Sequence, residues 1–111
     1  MAEADALPLA PRDLLILAAL AEAPRHGYGI IKAVEERSGQ GVLLDPANLY
    51  RCLRRMQGDG WIEERSSRGE NRRRTYRITA LGRSILRSEV ERLDRLLIRV
   101  RPALAGRMGP R

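Results

Sequence analysis

Apolar residues along the chain fall into blocks of different period. "LLILAALA" (residues 14–21) is apolar on almost every face of a helix, and Pro8, Pro11 and Pro24 punctuate its ends, so a first helix is expected over residues 11–23. A soluble helix with no polar face must be covered on all sides. In so short a chain a second subunit is the expected cover. "RHGYG" reads as a turn, followed by a second helix over 28–38 with Ile30, Ile31 and Val34 on one stripe and Ser38-Gly39 as its stop. Asp45-Pro46 is a favourable N-cap and first-turn pair for a third helix to about residue 57, broken by "GDG". "WIEER" and "RTYRIT" then alternate with β-branched and aromatic members, predicting a hairpin of 61–65 and 73–78 with its tip at 66–72. Thr79 is placed to cap a last helix through about residue 101, stopped by Pro102 and Gly106. Leu86, Val90, Leu93, Leu97 and Val100 on that helix step by 4, 3, 4, 3, a heptad seam flanked by Glu89, Glu91, Arg92, Asp94, Arg95 and Arg99. The pattern divides the chain into a loose leader (1–10), a compact unit (11–78), a long helix (79–101) shared between its own core and a partner subunit, and a frayed tail (102–111).

With 111 residues there is room for one domain with a modest core, which makes an obligate dimer plausible. Charge then narrows the partners. The formal net charge is +7, and every basic residue except Lys32 is arginine. This balance calls for a polyanion, either nucleic acid or an anionic surface. The single cysteine, Cys52, excludes a disulfide within the chain and reads as a small buried hydrophobe. His26 in its turn reads as a capping or packing residue, so no metal or cofactor is expected. The run 14–21 is too short to span a bilayer, and no basic residue precedes Arg12, so neither a membrane span nor a secretory signal is expected and the cytoplasm is the expected location. No nucleophile–base pair or phosphate-binding loop is visible, and Glu63-Glu64 would point to opposite faces of a strand, so an enzyme is not expected.

The third helix, "NLYRCLRRM", is where charge meets pattern. Leu49, Leu53 and Met56 form its inner stripe with Cys52 beside them; Asn48, Arg51 and Arg55 share another face, bordered by Ala47 and Arg54. Asparagine can pair with an adenine edge and arginine with a guanine edge, while Tyr50 can offer a hydroxyl to phosphate. A solvated arginine face would look the same. The following hairpin favours a DNA groove: Arg65, Arg68, Arg72, Arg73, Arg74 and Arg77 stand against one acid, Glu70, a net +5 in thirteen residues. Alternation sends Arg72 and Arg74 to one side of the strand and Arg73 to the other, and Arg77 can pair with Glu63 or Glu64 across the hairpin. Arginines clustered on a hairpin do not suit membrane binding, which uses an amphipathic helix with a bulky apolar face.

Three helices, a basic hairpin and a long helix make an α+β, mostly α architecture: a winged helix-turn-helix with a C-terminal dimerisation helix. Between residues 14 and 97 the chain resembles the PadR-family transcriptional regulators of the short kind, through "LLILAAL", "HGYGIIKAVEERSG", "LYRCLRRMQGDGWIEE" and "RRRTYRITALGRSIL". The resemblance implies a homodimer built from the first and last helices, including Leu14 and Leu17 beside the heptad seam. It also implies binding of double-stranded DNA at a pseudo-palindromic operator, usually in repression. Tyr50 is implied to touch the DNA backbone, and Gly82 to let the last helix pack closely on the wing domain. The family often has Gly-Thr where this chain has Ala47-Asn48, Pro or Gly at Arg51, and Leu at Trp61. The first two changes fall on the expected base-reading face, so operator sequence does not carry over. Some relatives hold flat aromatic effectors at the dimer interface. This chain has no Phe, and Trp61 lies outside the interface helices, which leaves open an aliphatic effector site or none. The expected DNA-contacting residues are Asn48, Tyr50, Arg51, Arg54, Arg55, Arg68, Arg72, Arg73 and Arg74. The alternative function is a protein–protein adaptor on the same fold, which would not need the outer face of the third helix.

Overall fold

The computed structural model describes residues 3–66 and 74–105. After a short 3-10 turn at Glu3–Ala6 come α1 (Pro11–Glu22), β1 (Arg25–His26), α2 (Gly27–Arg37), α3 (Pro46–Gly58), β2 (Ile62–Ser66), β3 (Arg74–Ile78) and α4 (Ala80–Ala105). The sheet is antiparallel in the order β1-β3-β2, with Ile62 opposite Ile78 and Glu64 opposite Tyr76. This is a winged helix-turn-helix: three helices, a wing, and a long closing helix.

Each element follows from its residues. Asp45 caps α3 by accepting the Asn48 N–H at 2.8 Å, and Pro46 occupies the first turn, where its missing N–H is no loss. Thr79 caps α4 by accepting the Gly82 N–H at 3.0 Å. At the other end, α1 leaves carbonyls unsatisfied. Arg25 Nε donates to the Ala19 carbonyl at 2.9 Å and Arg83 Nη2 to the Ala21 carbonyl at 3.1 Å, so two arginines close that helix.

One core joins all the elements. Ile16, Leu17 and Leu20 of α1 meet Ile30 and Val34 of α2, Leu49, Leu53 and Met56 of α3, Ile62 and Tyr76 of the sheet, and Ile85 of α4. Cys52 is buried among them as a free thiol. Leu14 and Leu86 are half-buried and pack on this cluster, as does Trp61 at the wing root. Gly82 sets how closely α4 can lie on the wing. A Cβ built there would fall on the Trp61 carbonyl oxygen, 3.0 Å from its carbon and 2.8 Å from Ile78 Cγ1. The close packing expected of Gly82 is therefore present.

Several expectations are corrected. "RHGYG" is more than a turn, because Arg25 and His26 pair with Tyr76 and Thr75 as a third strand; two residues are too few to show a period. The first hairpin strand is shifted by one residue from the expected 61–65, to Ile62–Ser66, and the second is described from Arg74 on; Arg73 and the expected tip beyond Ser66 lie outside the described residues. Leu17, expected at a subunit interface, is fully buried by its own chain, and α1 finds most of its cover in α2, α4 and β3. The supposed loose leader folds back on α4: Leu9 is buried, and its N–H donates to Glu89 Oε2 at 2.9 Å. Glu89, read from sequence only as a charged residue flanking the seam, is 1% exposed and accepts two bonds from Arg92, at 2.6 and 2.9 Å. Finally, α4 continues through Pro102 to Ala105. The proline removes one intrahelical bond, but both it and Ile98, whose carbonyl loses that bond, are exposed, so water can satisfy the carbonyl.

Two measurements follow. Gly82→Ala should destabilise the fold by roughly 1–3 kcal/mol in urea unfolding, since backbone cannot yield as a side chain can. Glu89 is held below its ordinary 4.5, chiefly by the Arg92 hydrogen bonds and also by the Leu9 N–H, with burial opposing. Its contribution is therefore fully present above that ordinary value and lost as pH falls through the lowered one. Glu89→Gln should cost roughly 1.5–3 kcal/mol at neutral pH and flatten the acid limb of the stability curve.

Candidate nucleic-acid interface

The third helix lies with Leu49, Cys52, Leu53 and Met56 inward, as its pattern required, and leaves Arg51, Arg54 and Arg55 at the surface. These arginines are not equivalent. Arg51 Nη1 donates to Asn48 Oδ1, and Asn48 Nδ2 donates in turn to Asp45 Oδ2 at 2.9 Å. Asn48 is thus half-buried and engaged on both sides of its amide. It orients Arg51, and a bidentate bond to adenine would require it to give up these partners. Arg54 is exposed and makes no hydrogen bond or ion pair among the described residues. Arg55, expected to be free, is bound: its Nη2 lies 2.6 Å from Asp13 Oδ2 of α1. The helical period explains the difference. At about 100° per residue, Arg51 and Arg54 straddle the direction opposite the buried stripe, while Asn48 and Arg55 turn toward the Cys52 flank.

Tyr50 lies on the other flank and is 39% exposed. Its ring crosses the start of α2, where a Cβ on Gly27 would come within 2.5 Å of Tyr50 Oη and 3.4 Å of Leu49 Cδ2. Gly27 therefore lets α2 and α3 approach, and the tyrosine hydroxyl sits at the first turn of α2, where free N–H groups gather. Tyr28 is the most exposed aromatic of this region at 72%, and the Lys32 ammonium lies 5.9 Å from its ring centroid. Neither Tyr28 nor Lys32 was among the expected contact residues.

On the wing, Arg65 and Arg77 are exposed, and Arg77 stands opposite Glu63 in the register. Arg74 Nε lies 3.1 Å from Glu64 Oε2, and Gln57 Nε2 donates to Glu64 Oε1 at 3.1 Å. Glu64 thus ties the wing to the end of α3, a role its sequence context did not reveal. The His26 Nδ1–H donates to the Arg74 carbonyl at 3.2 Å, fastening β1 to the same point. Burial raises the Tyr76 hydroxyl above its ordinary value, with the Glu64 charge adding to it. The expected contacts Arg68, Arg72 and Arg73 lie outside the described residues.

The expected dimer residues separate into two groups. Leu17 is buried, and Leu14 and Leu86 pack on the core; Val90, Leu97 and Val100 are about half exposed, Leu93 is half-buried, and Leu96, Ile98 and Leu104 add further exposed apolar surface along α4. An open groove lined by Arg83, Leu86, Arg87, Val90 and Glu91 begins this face. Among the described residues, no group of three or more His, Cys, Asp or Glu could hold a metal, and no helix is long and apolar enough to cross a membrane.

This geometry has known counterparts. Residues 16–88 match the model of the transcriptional regulator PadR-like family. A curated protein in transposon TN4556 of Streptomyces fradiae, described as an uncharacterized 37.1 kDa protein, is 37% identical over 88 residues. The match takes in 79% of this chain, and the chain spans about a quarter (24%) of that relative's length. Among solved structures, a PadR family transcription regulator from Clostridium difficile is 28% identical with a TM-score of 0.70, covering 87% of this chain and all of that one. Bacillus subtilis PadR, solved in complex with operator DNA, has the same fold at 22% identity and a TM-score of 0.66, over 75% of this chain and 48% of that one.

Proposed function

Because the chain belongs to the PadR-like family of transcriptional regulators, we propose that it is a dimeric repressor that binds a pseudo-palindromic operator through α3 and the wing. The observation that carries this reading is the outer face of α3. Arg51 and Arg54 stand exposed there with no acidic partner among the described residues, beside a basic wing, in a chain of net charge +7. A helix of this width fits the major groove, and an arginine held by a neutral side chain keeps its full charge and its remaining N–H donors for a guanine edge. Arg51 is so held by Asn48. Arg54, Arg65 and Arg77 suit phosphates on either side, and Tyr50 and Lys32 suit the backbone crossed by α2. The operator DNA bound by the Bacillus subtilis protein supports the same mode here.

The dimer rests on α4. Its 26 residues extend about 39 Å, and only the first turns are buried by their own chain. Val90, Leu97 and Val100, continuing from Leu93, form an apolar seam that a second copy of α4 would cover. Two copies would then present two α3 helices to successive major-groove faces, about one helical turn apart. A small-molecule effector held at that interface would be lined by aliphatic side chains, since α4 carries no aromatic residue.

On an operator selected from a random DNA pool, Arg51→Ala should lose roughly 1–3 kcal/mol of binding, with little change on unrelated DNA. Equal losses on both would remove its base-reading role. Leu97→Asp should shift the protein from dimer to monomer in sedimentation or sizing, and an unchanged mass would refute the seam.

A further inference from the structure

The pairing of Arg55 with Asp13 has a consequence for DNA binding, given the reading above. Arg55 follows Arg51 by one helical turn on the recognition helix, yet its guanidinium is held by a carboxylate 42 residues away at 2.6 Å. The two partners are unequally placed: the Arg55 side chain is 45% exposed, the Asp13 side chain only 12%. The second oxygen of Asp13, Oδ1, is buried with no hydrogen-bond partner among the described residues. Asp13 is also fixed in position, being the third residue of α1, where the positive end of the helix favours its negative charge.

These facts decide which partner can leave. If Arg55 swung out to a phosphate, a buried carboxylate would be left with one oxygen already unpaired and no cation, a heavy penalty. An exposed ion pair would have no such hold. Glu22, for example, shares Arg25 and Arg37 on an open surface, where water and salt can replace either one. Arg55 is therefore neutralised in place, whereas among the described residues Arg51 is held only by the neutral Asn48 and Arg54 has no partner.

We infer that Asp13 is a specificity-determining positioning residue that withholds Arg55 from the DNA backbone. Phosphate contacts add affinity to every sequence alike, so one fewer on the recognition helix leaves a larger share of binding to base contacts. Asp13 acts through Arg55 and touches no DNA itself.

The salt dependence of binding to a random-sequence duplex tests this with wild type, Asp13→Ala, Arg55→Ala and the double variant. The slope of log affinity against log salt counts the phosphates neutralised, at roughly 0.9 each. A variant that is merely less stable has a smaller active fraction but the same slope. Asp13→Ala should steepen the slope by about 0.9, so that its affinity falls about 3.5-fold more than that of wild type between roughly 50 and 200 mM salt. Arg55→Ala should keep the wild-type slope, and the double variant should return to it. An unchanged slope in folded Asp13→Ala overturns the inference. So does a slope flattened by about 0.9 in Arg55→Ala, which decides the matter alone if Asp13→Ala fails to fold. Absence of any salt-dependent binding by wild type overturns this inference and the DNA-binding reading together.

Discussion

The joint between the wing and the last helix is a backbone contact, and the rest of the molecule is arranged around it. The Trp61 carbonyl accepts the Thr79 N–H at 3.0 Å and lies against the bare Cα of Gly82. The Thr79 hydroxyl donates to the Gly60 carbonyl at 2.6 Å while accepting the Gly82 N–H, so one threonine both caps α4 and fastens it to the turn after α3. Three elements thus meet within a few residues: the end of α3, the root of the wing and the start of the long helix. Backbone contacts of this kind have few alternative arrangements, because no side-chain rotamer can adjust them. The direction in which α4 leaves the domain is therefore coupled to the direction in which α3 and the wing face. In a dimer joined through α4, that coupling would determine how two recognition helices are spaced.

Arginine supplies nearly all the positive charge, and acidic and carbonyl partners sort it by location. Arg25 and Arg83 close α1, Arg92 neutralises the buried Glu89, Arg74 joins Glu64 at the wing root, and Arg55 serves Asp13. Each such arginine spends its fork on the protein. Other exposed arginines have no acidic partner among the described residues: Arg51 and Arg54 on α3, Arg65 and Arg77 on the wing, and Arg87, Arg95, Arg99 and Arg101 on α4; those on α3 and the wing are the ones that the proposed function gives to DNA. Net charge alone would count all of these as equal. The division is one of charge more than of donors: a carboxylate neutralises the guanidinium it holds, and Arg92 alone gives two donors to its acid, Glu89, among the described residues.

Apolar surface is divided in a similar way. The first turns of α4 enter the core through Ile85 and half-bury Leu86, and the N-terminal segment covers the next turn through Leu9. Beyond Glu89 the helix projects, and its apolar residues pass from buried to about half exposed. A continuous heptad is therefore one seam in sequence but two environments in space. Its early part packs into the chain's own core, and its later part stands about half exposed. The buried Glu89, paired with the half-buried Arg92, stands at the change from one to the other.

Much of the architecture was legible in the residues themselves. The periods of α2, α3 and α4, the Asp45-Pro46 and Thr79 caps, the hairpin and the inner stripe of Leu49, Leu53 and Met56 all depend on neighbours a few positions apart, which sequence displays directly. The need for glycine at residue 82 was legible through family resemblance. Tertiary structure alone decided which chain covers Leu17, that Leu9 returns to Glu89, that Arg25–His26 complete the sheet, and that Arg55 faces Asp13. These pairings join residues 42 to 80 positions apart or involve elements too short to show a period. A periodic pattern reports which side of a helix is greasy, but not what stands opposite. Hence the sequence by itself determined that α3 would carry arginines outward, and only the packing of α1 beside it decided which of them remain free.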